Sequence, residues 1–78
     1  MPVHITLSGP IRSPRRAKEF TVVVATGTSV RDFLKAEFSF AEDEMTHLVV
    51  MINGVESRLS AVLQADDALH LFLPVGGG

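Results

Sequence analysis

Cysteine is absent from the sequence. That excludes a disulfide framework and any chemistry through a thiol of its own, and the chain needs no oxidising compartment. Net charge is also scarce, at −2, which argues against broad binding to nucleic acid or an anionic membrane as the main task. No apolar run approaches the roughly 20 residues of a membrane span, and the N-terminus lacks the charged-then-apolar layout of a secretory signal. A soluble, cytoplasmic protein is the expectation. Missing as well are a catalytic dyad and a phosphate-binding loop, because the glycine-rich stretch Gly76-Gly77-Gly78 opens no helix. His4 and His47 stand far apart without acidic or thiol partners at ligand spacing, so no metal site is expected. An enzyme in its own right is not expected either.

What is present is a chain of 78 residues, near the lower limit at which one core can offset the entropy of ordering the backbone without staples. It divides into a folded domain over 1–75 and a tail over 76–78. From Met1 to Ser8, Val3, Ile5 and Leu7 alternate with His4, Thr6 and Ser8, the period-2 pattern of a half-buried strand. Gly9 to Lys18 (GPIRSPRRAK) has two prolines and no periodicity, so it reads as an exposed connection. It carries Arg12, Arg15, Arg16 and Lys18 and is taken as a solvated loop, with steering toward an acidic partner as its further reading. Glu19 to Ala25 (EFTVVVA) sets Phe20, Val22 and Val24 against Thr21 and Val23, a second strand forming a hairpin with the first.

Ser29 or Thr28 can cap a helix with Asp32 in its first turn, and Val30, Phe33, Leu34 and Phe38 recur at helical spacing. The expectation is one good helix, from about Val30 to Glu37. Glu42, Asp43 and Glu44 read as an acidic turn. His47 to Ile52 (HLVVMI) is nearly continuous apolar sequence, which suits a central strand. Asn53-Gly54 is a strong turn signal before a brief strand at Val55 to Ser57. Ser60 to Asp67 is irregular, with room for a helical turn around Ala61 to Leu63. Ala68 to Val75 is the last strand, with Leu69, Leu71 and Leu73 on the core face and His70 and Phe72 on the other. An exposed Phe72 suggests a docking patch, the alternative being that the Gly9 to Lys18 loop covers it.

The order of two strands, one helix and further strands running into Gly-Gly resembles the ubiquitin-like sulfur carriers, a family that includes the molybdopterin synthase small subunit and the thiamine-pathway sulfur carrier. The residues carrying the resemblance are Val30, Phe33 and Leu34, the INGV of Ile52 to Val55, ADDALHLFLPV at Ala65 to Val75, and the terminal Gly76-Gly77-Gly78. It implies an α+β, β-grasp (ubiquitin-like) fold: a mixed sheet of four to five strands, one main helix and a flexible Gly-Gly C-terminal tail. Asn53-Gly54 to Asp66-Asp67, Pro74 and the long first loop look more like the molybdopterin branch, whereas the Val-Gly-Gly-Gly ending looks more like the thiamine carrier.

By the same resemblance, an E1-like enzyme uses ATP to adenylate the carboxylate of Gly78, a persulfide-bearing sulfur donor converts it to a thiocarboxylate, and a synthase accepts the sulfur. The carrier itself binds no cofactor. Gly77 and Gly78 lack a Cβ, so they can thread a narrow channel and leave the acyl carbon open. Phe72, His70, Pro74, Val75 and Gly76 are the expected partner contacts, with Pro74 ending the sheet pairing and stiffening the exit. A ubiquitin-like modifier joined through Gly78 to a lysine uses the same tail, and a plain β-grasp interaction domain with an inert tail is the third possibility.

Overall fold

Alternation over Pro2–Ser8 (β1) and Glu19–Val23 (β2) sorts their side chains as expected: Val3, Ile5, Leu7 and Val22 are buried, while His4, Thr21 and Val23 are exposed. The strands pair antiparallel with Val3 opposite Val22 and Ile5 opposite Phe20. The structure, a computed structural model, describes residues 1–74. After β2 come α1 (Val30–Phe33), a π-helical turn (Leu34–Phe38), α2 (Glu42–Thr46), β3 (Val49–Ile52), β4 (Val55–Glu56) and β5 (Ala68–Phe72). The five strands form one mixed sheet in the order β2-β1-β5-β3-β4. β5 runs parallel to β1 and antiparallel to β3, so it lies in the middle of the sheet.

One face of that sheet carries the core. Ile5, Leu7, Val50, Leu69 and Leu71 meet Val30, Phe33, Leu34 and Phe38 from the helical segment, with Met45 and Leu63 closing the sides. Ser29 is the cap: its Oγ accepts from the Asp32 N–H at 3.1 Å. Thr28 instead donates its hydroxyl to the Ala25 carbonyl at 2.7 Å. Ser39, in the left-handed region at φ 57°, ends the helical run. The wider π turn delivers Phe38 into an aromatic cluster, with ring centroids 6.0 Å from Phe33, 6.5 Å from Phe20 and 5.2 Å from Phe40.

Several elements differ from the sequence reading. The acidic stretch is not a turn but the start of α2, where the Glu44 carboxylate accepts from the Ala41 N–H at 2.9 Å and Met45 is buried. Three carboxylates in a first turn oppose the positive end of the helix dipole, and Met45 supplies the tertiary anchor that so short a helix needs. No helical turn forms at Ala61 to Leu63; Val62 bridges to Ser29, and Leu63 is buried. The first loop is not wholly exposed, since Ile11 belongs to the core. β5 ends at Phe72 rather than Val75 among the described residues, and Leu73 is half-buried rather than a core residue.

The Asn53-Gly54 turn is present, with positive φ at both residues (54° and 83°), the geometry that a two-residue hairpin demands. It is tied down by Asp67, a carboxylate only 7 % exposed. Asp67 accepts from Asn53 Nδ2 at 2.9 Å and from the Gln64 N–H at 2.8 Å.

Candidate functional site

β5 presents leucines inward and His70 and Phe72 outward, on the sheet face that no helix covers. Phe72 is 39 % exposed. Its cross-strand neighbours are Ser8 on β1 and Val49 on β3. His70 lies between Thr6 and Met51 in the same registers. It is half-buried, and its Nε2 is 2.7 Å from Ser8 Oγ. His70 is thus a pinned side chain at the edge of an apolar patch made by Val49, Met51 and Phe72.

Sequence reasoning placed Phe72 and His70 on this face but missed Val49 and Met51. HLVVMI suited a central strand, and β3 does lie between β5 and β4, but only Val50 in it is fully buried. Its neighbours Val49 and Met51 are apolar because they share the outer face. Ser8 was legible as an outward residue of the first strand, although its contact with His70, 62 positions away, was not.

The first loop does not cover Phe72. It bends to the helix side, where Ile11 enters the core, Arg15 stacks its guanidinium 5.6 Å from the centroid of the Phe20 ring, and Arg15 reaches Glu37 at 3.8 Å. Arg12 and Arg16 are exposed. On this side the strand exit is bordered by a groove of about 740 Å³ lined by Ile11, Arg12, Phe40, His47, Leu73 and Pro74 among others.

The exit itself is fixed by backbone contacts. The Leu73 N–H donates to the Ser8 carbonyl at 3.0 Å, one bond past the assigned end of β5. Pro74 has no N–H with which to continue the ladder. Gly9 sits at φ 83°, and a Cβ there would overlap the Leu73 carbonyl oxygen; the position requires glycine on both counts. The chain therefore leaves the sheet against the Ser8-Gly9 backbone, with Leu73 and Pro74 lining the groove on the helix side. Val75, Gly76, Gly77 and Gly78 lie outside the described residues.

Of the other candidates, His4 is on the outer face at the opposite end of β1, with Nδ1 3.0 Å from Thr21 Oγ1 and Nε2 4.0 Å from Asp66. His47 caps α2. The two do not converge. No helix among the described residues is long and apolar enough to cross a membrane.

This architecture recurs in solved structures. SAMP1 from Haloferax volcanii matches with a TM-score of 0.76 at 25 % identity, over 100 % of both chains. The chain has the β-grasp fold. A putative molybdopterin converting factor subunit 1 from Pyrococcus furiosus aligns with a TM-score of 0.70 at 22 % identity, over 95 % of this chain and 98 % of that one. A chain from the complex of subunits 1 and 2 of the molybdopterin-converting factor of Helicobacter pylori aligns with a TM-score of 0.65 at 18 % identity, over 100 % of both. No protein-family model and no curated protein matches the sequence. These neighbours share the fold expected from the resemblance to the ubiquitin-like sulfur carriers.

Proposed function

We propose that the protein is a sulfur carrier, a co-substrate rather than an enzyme, whose reactive group is the carboxylate of Gly78. The observation that carries this reading is the course of β5: a central strand bonded on both sides, bearing His70 and Phe72 on its outward face, ends its ladder at Leu73 and Pro74, next to the C-terminal residues. Three or four residues past the strand would, if drawn out, span roughly 10 to 14 Å, enough to enter a partner's active site while the folded domain stays outside. Likeness to molybdopterin converting factor subunit 1 supports the same reading.

In this reading the Gly78 carboxylate attacks the α-phosphorus of ATP on an E1-like enzyme and releases pyrophosphate. The acyl adenylate is electrophilic at its carbonyl carbon, and a persulfide sulfur attacks there, expelling AMP. Cleavage of the resulting acyl disulfide by a thiol leaves the thiocarboxylate, which a synthase consumes. The carrier supplies no acid or base; orientation and charge stabilisation belong to its partners. Phe72 and His70, with Pro74, Val75 and Gly76, contact those partners, and Gly77 and Gly78 pass the narrow channel. Because the Helicobacter pylori subunits form a complex, a synthase large subunit is the partner we favour, and molybdopterin biosynthesis the pathway over thiamine. The setting is cytoplasmic, with neither nucleic acid nor membrane as partner.

The test is incubation with an E1-like enzyme, ATP and a persulfide donor, followed by intact-mass spectrometry. Exchange of one oxygen for one sulfur is expected, abolished by removal of Gly77 and Gly78 with the fold unchanged. No exchange with an enzyme that activates a related carrier would refute the reading. The likeness to SAMP1 favours a second reading, a protein modifier joined through Gly78 to lysine. Slower-migrating conjugates lost on deletion of Gly78 would select it.

A further inference from the structure

A second concavity, of about 380 Å³, lies where α2, β3 and the segment that follows β4 approach the start of α1. Its polar lining is one-signed in a chain whose net charge is −2. Arg31 and Arg58 line it with the hydroxyl residues Thr46, Ser57 and Ser60, and no Asp or Glu takes part.

The two arginines are brought together by backbone bonds. The Val30 N–H donates to the Ala61 carbonyl and the Arg31 N–H to the Leu59 carbonyl, both at 2.9 Å, while the Ala61 N–H closes the turn onto the Arg58 carbonyl at 3.0 Å. Their charges are only partly answered. Arg31 Nε lies 3.4 Å from Glu42 Oε2, close enough for ion pairing but not aligned as a hydrogen bond. The other oxygen of Glu42 takes Lys35 Nζ at 2.9 Å. Among the described residues, no Nη nitrogen of either arginine has a hydrogen-bond or ion-pair partner. The N–H groups of Leu59 and Ser60 likewise donate to no backbone carbonyl.

A single carboxylate is satisfied by one bidentate guanidinium. Two guanidinium groups together with hydroxyl and backbone donors match a tetrahedral oxyanion with more acceptor oxygens. We propose that this pocket binds a phosphate-class oxyanion, either inorganic phosphate or the phosphoryl group of a nucleotide.

The experiment is titration of the full ¹⁵N-labelled chain with sodium phosphate and, separately, with AMP, at ionic strength held constant with chloride. Saturable amide shifts are expected at Arg31, Thr46 and Ser57 to Ser60, with an apparent Kd on the order of millimolar, the range for a few charge-assisted bonds in water. Arg58→Gln removes an exposed charge that, among the described residues, makes no side-chain hydrogen bond or ion pair. It should weaken binding by about tenfold or more, as expected for loss of a charged donor, and leave the remaining spectrum unchanged. Glu42→Gln, which removes the nearest negative charge, should tighten it. Tighter binding of AMP than of phosphate assigns the nucleotide as the source; equal binding assigns free phosphate. Shifts that do not saturate, that spread equally to Arg12, Arg16 and Lys18, or that keep their midpoint in Arg58→Gln would overturn the proposal.

Discussion

Truncation of Phe72 to alanine separates docking from folding. The residue is 39 % exposed, and a large aromatic side chain offers about 200 Å² for burial. The part still open to a partner is therefore roughly 80 Å², worth about 2 kcal/mol at ~25 cal/mol per Å². If the activating enzyme covers that remainder, Phe72→Ala should weaken docking by about 30-fold. The effect should fall on KM with kcat nearly unchanged, because the side chain touches neither ATP nor the acyl carbon and contributes equally to ground and transition states. The assay is ATP–pyrophosphate exchange as a function of carrier concentration. The part of Phe72 already covered beside Val49 and Ser8 makes the substitution cost stability as well, about 1 to 3 kcal/mol, so melting must be followed in parallel to confirm that the variant is folded at the assay temperature. A KM within twofold of the parent, in a folded variant, would refute the outer face as the docking surface. A collapse of kcat at unchanged KM would show instead that Phe72 positions the tail.

Gly9→Ala forces a β-carbon against the Leu73 carbonyl at a positive φ. It should lower stability by about 2 kcal/mol or more, which for a domain of this size is a fall in Tm on the order of 10 °C, read by calorimetry; a change below about 2 °C would deny the close approach. Asp67→Ala leaves Asn53 Nδ2 and the Gln64 N–H without their acceptor and should cost about 2 kcal/mol in urea unfolding, with Asp67→Asn recovering part of it. The Glu42 carboxyl is held below its ordinary value, chiefly by the hydrogen bond from Lys35, which outweighs the opposing desolvation and is reinforced by the charges of Lys35 and Arg31. A lowered folded-state pKa means that this contribution is present above the unfolded-state value and is lost as pH falls through the folded one. Lys35→Met should therefore move the Glu42 titration midpoint, followed by carbon NMR of its carboxyl, upward; an unmoved midpoint would mean that the contact is not made in solution.

Most of the sheet was legible because alternation is a strong signal where one face is buried and the other is not. Val3, Ile5 and Leu7 and their partner Val22 follow it directly, as do Leu69 and Leu71. Where alternation failed, the cause was local. In HLVVMI the outer positions are apolar too, so periodicity vanished: the central placement of β3 was legible, but which of its residues face outward was not. α2 has only five residues, too short for an apolar stripe, and is held by the burial of one residue, Met45. Ile11 entered the core from a segment with no period at all. Leu73 kept the inward phase of β5, but by that point the sheet is ending, and the residue lines the groove at the exit instead of the core. Within the candidate site, the direction of Phe72 and His70 could be read from β5 alone. The patch that gives Phe72 its neighbours needed the register between β5 and β3, which no single segment encodes.

The position of β5 also bears on how a tail can be handled by a partner. A strand at the edge of a sheet peels away one hydrogen bond at a time when its end is pulled sideways. β5 is flanked on both sides, by β1 in parallel and by β3 antiparallel. A pull along its C-terminal direction loads both ladders in shear, so many bonds must yield together. Leu69 and Leu71 add resistance, because sliding the strand by one residue would carry them from the core to the outer face and bring His70 inward. On the proposed reading, a partner that bears against Val49, Met51 and Phe72 and pulls on the residues past Pro74 would load both ladders without unravelling the fold it grips. The same shear-resistant strand sets the distance from the docking face to whatever lies beyond Pro74, which allows a surface contact to decide where a distant carbonyl carbon is placed.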